Sequence, residues 1–89
     1  MDIKTRVKIF KALGNEGRLK ILKLLADKKE RTVSDITKHI GISFKSTSKH
    51  LIILDNLGFV QNSGKKARVF YSISGQMYSK IKEMVRREL

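Results

Sequence analysis

Only Gly41, Ile42 and Ser43 separate two segments of helical period. Val33, Ile36 and Ile40 precede them, and Thr47, Leu51 and Leu54, extended by Leu57 or Ile53, follow at the same three- and four-residue spacing. Thr32, with Asp35 three residues on, opens the first stripe in the manner of a capping box. Gly41 supplies a left-handed stop, and Ser43 is placed to cap the second helix. Two short helices joined by so tight a turn must cross steeply, which makes residues 32–57 a helix-turn-helix.

Gly58 ends the second helix, and the period then changes from helical to alternating. Segments 59–62 and 68–73 are rich in β-formers and are separated by Ser63-Gly64-Lys65-Lys66, a hairpin signal with basic residues at its tip. A hairpin directly after such a helix is a wing, spanning residues 59–73. Upstream, Ile3, Val7, Phe10 and Leu13 predict a helix over 3–13 that Gly14 stops. Asn15 can cap a second helix over 18–26, with Leu19, Leu22 and Leu25 on one stripe and Ile21 and Leu24 widening it. Residues 27–31 are polar and read as a loop. Ser74 caps a last helix over about 75–89, on which Met77, Ile81 and Met84 or Val85 form the stripe. The expected fold is mainly α (α+β), a single winged domain over residues 1–89 with element order α-α-α-α-β-β-α.

Charge narrows what such a domain binds. Twenty Lys and Arg against eight Asp and Glu give a formal charge of +12 on 89 residues. Between Ile36 and Lys82 the single acid is Asp55, and eight Lys and Arg share that stretch. This acid-poor stretch coincides with the second motif helix and the wing, so the basic surface falls on the elements that enter DNA. A hydrophobic content of 40% is too high for a disordered polycation. No run of 18 apolar residues exists and the first eleven residues carry no apolar h-region, so neither a membrane span nor a signal peptide is expected and the cytoplasm is the expected compartment. With two His, eight scattered carboxylates, no Cys and no Gly-rich phosphate loop, the chain has too little apparatus for an enzyme.

At the level of motifs the chain resembles the ArsR-type winged-helix repressors. The sequence from Ile42 through Ser43-Phe44-Lys45-Ser46-Thr47-Ser48-Lys49-His50 to Leu51 is similar to the family's recognition-helix pattern L-S-Q-S-T-V-S-R-H-L. Lys11-Ala12-Leu13 and Arg18-Leu19 resemble the opening K-A-L-A-D-P-T-R-L, and Val69-Phe70-Tyr71-Ser72-Ile73 resembles the strand V-Y-Y-S-L that closes the wing. The resemblance implies a homodimer on double-stranded DNA, held by the first and last helices through Ile3, Val7, Phe10, Met77, Ile81 and Met84. It implies base and phosphate contacts from Ser43, Phe44, Lys45, Ser46, Ser48, Lys49 and His50. Lys65, Lys66 and Arg68 at the wing would meet backbone or an adjacent minor groove.

Two positions stay open on the residues alone. Phe44 stands where the family often has Gln, and it either packs on a thymine methyl or turns inward as a staple. Ile52 stands at a usually polar position, as an exposed contact or as part of a rotated core. The family's metal sensors carry a Cys-x-Cys pair before the turn, whereas residues 31–35 here offer no thiolate, and 74–89 offer Glu83 and Glu88 but no His. No metal or other cofactor is therefore expected. The expected function is a dimeric, sequence-specific transcriptional regulator, a repressor that does not respond to metal. The alternative is a winged-helix module for protein–protein contact or for non-specific DNA coating.

Overall fold

The computed structural model describes residues 2–65, 68–77, 79 and 80. Four helices form where the stripes require them: α1 (Ile3–Leu13), α2 (Glu16–Leu25), α3 (Val33–Ile40) and α4 (Phe44–Asn56). Each begins with a short polar side chain that accepts from an orphan N–H three residues on. Asp2 accepts from Thr5, Asn15 from Arg18, Thr32 from Asp35 and Ser43 from Ser46, at 2.8 to 3.1 Å. The tight turn forms as the sequence requires, with Gly41 left-handed at φ 77° and its N–H donated to the Thr37 carbonyl. Strands β2 (Val60–Lys65) and β3 (Arg68–Ile73) pair antiparallel from Val60↔Ile73 to Lys65↔Arg68. The strand therefore runs through Ser63 and Gly64, expected in the turn, because the β3 ladder overrides their weak strand preference.

One element was not expected. Arg31–Thr32 forms a two-residue strand, β1, on the free edge of β3, with Arg31↔Tyr71 and Thr32↔Phe70 in register, giving sheet order β1-β3-β2. Its existence depends on a partner about forty residues away, so no local periodicity announces it. Among the described residues the order is thus α-α-β-α-α-β-β. The last expected helix begins as anticipated: Ser74 Oγ accepts from the Gln76 N–H, and the Lys80 N–H donates to the Gln76 carbonyl. Its remainder, with Ile81 and Met84, lies outside the described residues.

The core joins α2, α3 and α4 through Ile21, Leu25, Ile36, Leu51 and Leu54, with Phe59 before the wing, to the inner sheet face of Tyr71 and Ile73. α4 ends in a Schellman pattern: the Phe59 N–H reaches the Leu54 carbonyl, the Gly58 N–H reaches Asp55, and both Leu54 and Phe59 are fully buried. Several stripe assignments shift. α1 buries Ile9 and Ala12, while Ile3, Val7 and Phe10 remain 66%, 45% and 43% exposed. Leu19, expected in the core, is exposed, since α2 starts at Glu16 and turns Ile21, Leu22 and Leu25 inward. Of the two candidates to extend the α4 stripe, Leu57 packs on the core and Ile53 does not. Ile52 is likewise exposed, so the α4 core is not rotated onto it. Met77, expected at a dimer interface, is only 7% exposed and packs in its own subunit's core.

Candidate nucleic-acid interface

The N-terminal half of α4 presents a polar and basic face. Ser43, Phe44, Lys45, Ser46 and Lys49 are exposed, Ser48 is half-buried, and the opposite face anchors the helix through Thr47, Leu51 and Leu54. Lys45 and Lys49 stand one turn apart on one face. Thr47 is locked by its Oγ1 donating to the Ser43 carbonyl at 2.9 Å, which orients the first turn relative to the core. Ser43 Oγ accepts the Ser46 N–H and donates to Ser46 Oγ, both at 3.0 Å. The Ser46 hydroxyl then accepts inward, and its own proton is left to be donated outward. No acid lies in the first turn of α4, so the partial positive charge of its N-terminus is unopposed there.

His50 does not join this face. Its Nδ1 lies 3.2 Å from Arg18 Nη1, and a Cβ placed on Gly17 would approach its Nε2 to 2.9 Å, so the imidazole faces α2. Burial, and then the Arg18 guanidinium, hold its pKa below the ordinary histidine value. The ring accepts from the Arg18 guanidinium and is turned to α2 rather than to the lysine face. His50, expected among the DNA contacts, stands here as an internal support between α2 and α4. Arg18 is the hub: its Nε donates to the Ala12 carbonyl at 2.7 Å and its Nη2 to the Lys11 carbonyl at 3.4 Å, capping α1 while it reaches α4. The sequence singled out Arg18 only as part of a motif. Its six- and seven-residue separation from those carbonyls, across the Gly14 stop, was the signal.

On the wing, Arg68 is exposed on β3. The backbone of Lys65 ends β2 opposite it, and Lys66 lies outside the described residues. Acids hold the base of the hairpin: Asp55 Oδ2 accepts from Asn62 Nδ2 at 2.6 Å, and Glu30 Oε2 accepts from Ser63 Oγ at 3.2 Å. Asp55, the one acid of the basic stretch, thus ties the wing to the end of α4. Val69 is a further residue the sequence did not single out. Strand alternation puts it on the face of Tyr71 and Ile73, yet it lies beyond the core and is 48% exposed.

A tight helix pair, its second helix bare and basic at the start, with a hairpin pinned at its far end, defines a winged helix-turn-helix DNA-binding domain. The profile described as bacterial regulatory protein, arsR family, matches residues 15–62. Over 93% of its length the chain is 33% identical to a homologue of the cadmium resistance regulatory protein CadC from Staphylococcus aureus, covering 66% of that protein. It is 32% identical to the transcriptional activator HlyU of Vibrio cholerae over 91% of the chain and 74% of that protein. The solution structure of the homodimeric winged helix-turn-helix domain of Mb0332 from Mycobacterium bovis superposes with a TM-score of 0.78 at 31% identity, covering 94% of this chain and 77% of that one. The chain belongs to the ArsR family of bacterial regulators: it is a DNA-binding transcription regulator, not an enzyme.

Proposed function

We propose that the chain acts as a homodimeric, sequence-specific repressor. α4 enters the major groove with Phe44, Lys45, Ser46, Ser48 and Lys49, Ser43 sets its N-terminus beside a phosphate, and Lys65, Lys66 and Arg68 of the wing meet the flanking backbone. The observation that carries this reading is the exposed start of α4, rigidly set by the Ser43 and Thr47 bonds and free of acids. Lys side chains there suit guanine O6 and N7. The bare stripe of Ile3, Val7 and Phe10 supports a dimer, and a homodimer is what the Mycobacterium bovis domain forms. Repression needs only occupancy of a promoter, which a compact basic dimer supplies.

We propose no metal signal. The sequence has no Cys, and among the described residues no group of three or more His, Cys, Asp or Glu is gathered to hold an ion. Thiolate chemistry of the kind a cadmium sensor requires is thus not available to this chain.

The test is enrichment of bound duplexes from a random library, followed by salt titration of the best one. A pseudo-palindrome with half-sites about 10 base pairs apart is expected. Affinity should fall with a log–log slope near −0.9 for each phosphate neutralised. Equal binding to all duplexes would assign the chain to non-specific coating, and salt-insensitive binding would remove the phosphate contacts.

A further inference from the structure

Lys45 and Lys49 account for attraction to DNA, but they do not account for Phe44. Phe44 is 56% exposed at the first position of α4, and the core side of that helix is already filled by Thr47, Leu51 and Leu54. The inward staple is therefore excluded. Phe44 and Val69, with Thr32 and Val33, line an open cleft between the start of α4 and strand β3. Two charged residues share that cleft, Arg68 and Asp35. Their signs oppose, so the cleft is poorly suited to a phosphate, unlike the lysine ridge beside it. Its distinguishing feature is an apolar wall at the end of the helix that meets the groove.

We propose that Phe44 is a specificity-determining residue whose ring packs on the C5-methyl of a thymine, with Val69 widening the apolar contact. The proposal rests on the DNA-binding reading above and names which base the helix start selects. Among the major-groove edges of the four base pairs, the thymine methyl is the apolar group, and phenyl–methyl contact is its natural complement. Uracil presents the same hydrogen-bonding edge without that methyl, which isolates the contact from all others.

The experiment takes the enriched duplex, replaces its thymines by uracil one at a time, and measures binding by fluorescence anisotropy for the wild type, Phe44→Ala and Phe44→Gln. At one position in each half-site uracil should weaken wild-type binding about fourfold, the worth of one buried methyl. F44A should bind the thymine and uracil duplexes alike at that position, and F44Q should turn its preference toward adenine, which a Gln amide can pair with at N6 and N7. Wild-type binding unchanged by every replacement overturns the proposal without needing any variant, as does an F44A protein that keeps the fourfold difference. If no duplex is enriched at all, the DNA-binding specificity itself fails and Phe44 falls with it, an outcome distinct from an enriched duplex that ignores the methyl.

Discussion

Arg18, Gly17 and His50 show how much one corner of the molecule depends on single atoms. Arg18 closes the carbonyl end of α1 and meets His50 on α4, while Gly17 leaves room for the ring. Replacing a helical glycine by alanine ordinarily stabilises a fold, here by about 0.5 kcal/mol because residue 17 lies in a first turn. In this protein the new Cβ must displace a ring wedged against an arginine, and overpacking of that kind costs about 1–3 kcal/mol. Gly17→Ala should therefore lose about 1 kcal/mol in the wild type yet gain about 0.5 kcal/mol in a His50→Ala background. Urea denaturation of the four proteins completes the cycle, and equal effects in both backgrounds would refute the contact. The same histidine sets an acid limit. Its pKa in the fold lies below the unfolded value of about 6.5, so the folded state binds fewer protons. Its contribution is whole above that pH and is lost as pH falls below it. The melting temperature should drop between pH 7.5 and 5.5, and His50→Gln should reduce the drop. Identical acid slopes for the two proteins would count against the assignment.

At the scale of elements, the end of α4 fixes where the wing begins. Gly58 is left-handed at φ 79°, which a residue with a Cβ adopts at a cost of about 1–2 kcal/mol. Lys80 donates to the Leu57 carbonyl at 3.3 Å and so joins the chain after the wing to the same helix end. Gly58→Ala should lower stability by about 1–2 kcal/mol and Gly58→Asn by less, since Asn tolerates that conformation. Chemical denaturation measures both, and an alanine variant as stable as the wild type would show that the turn can relax. This junction also marks what the sequence makes legible. Caps, glycine stops and apolar period are local, and they located α1, α3, α4, the tight turn and β3 closely. β1 was not legible, because two residues become a strand only when Tyr71 and Phe70 arrive beside them. The site divides in the same way. Lys45, Ser46 and Lys49 could be placed from helix period alone. His50 could not, since its direction is decided by Arg18, 32 residues away, and Met77 could not, since the cover over it is tertiary.

For the molecule as a whole, two forces act on one surface charge and salt should separate them. α1 buries Ile9 and Ala12 on one side and leaves Ile3, Val7 and Phe10 bare on the other, so a second copy is the natural cover for that stripe. Lys4, Arg6, Lys8 and Lys11 stand on the same helix, whose single acid is the capping Asp2 within a chain of net +12. Bringing two such faces together sets like charges near one another while apolar area is buried. Screening shortens that repulsion, from a reach of about 10 Å at 0.1 M salt to about 3 Å at 1 M. Burial of the stripe is not weakened by the same ions. Dimer association should therefore tighten with salt over the range in which DNA binding weakens, where phosphate contacts release counterions. Val7→Lys removes apolar contact at two symmetry-related places and adds charge at both. It should weaken the dimer by about 2 kcal/mol, roughly thirtyfold. Sedimentation at 50 and 500 mM salt, with anisotropy on the enriched duplex at the same concentrations, reads both equilibria. A Val7→Lys protein that dimerises as the wild type does would place the interface elsewhere. Association that weakens with salt would show that charge, rather than the bare stripe of α1, holds the two copies together.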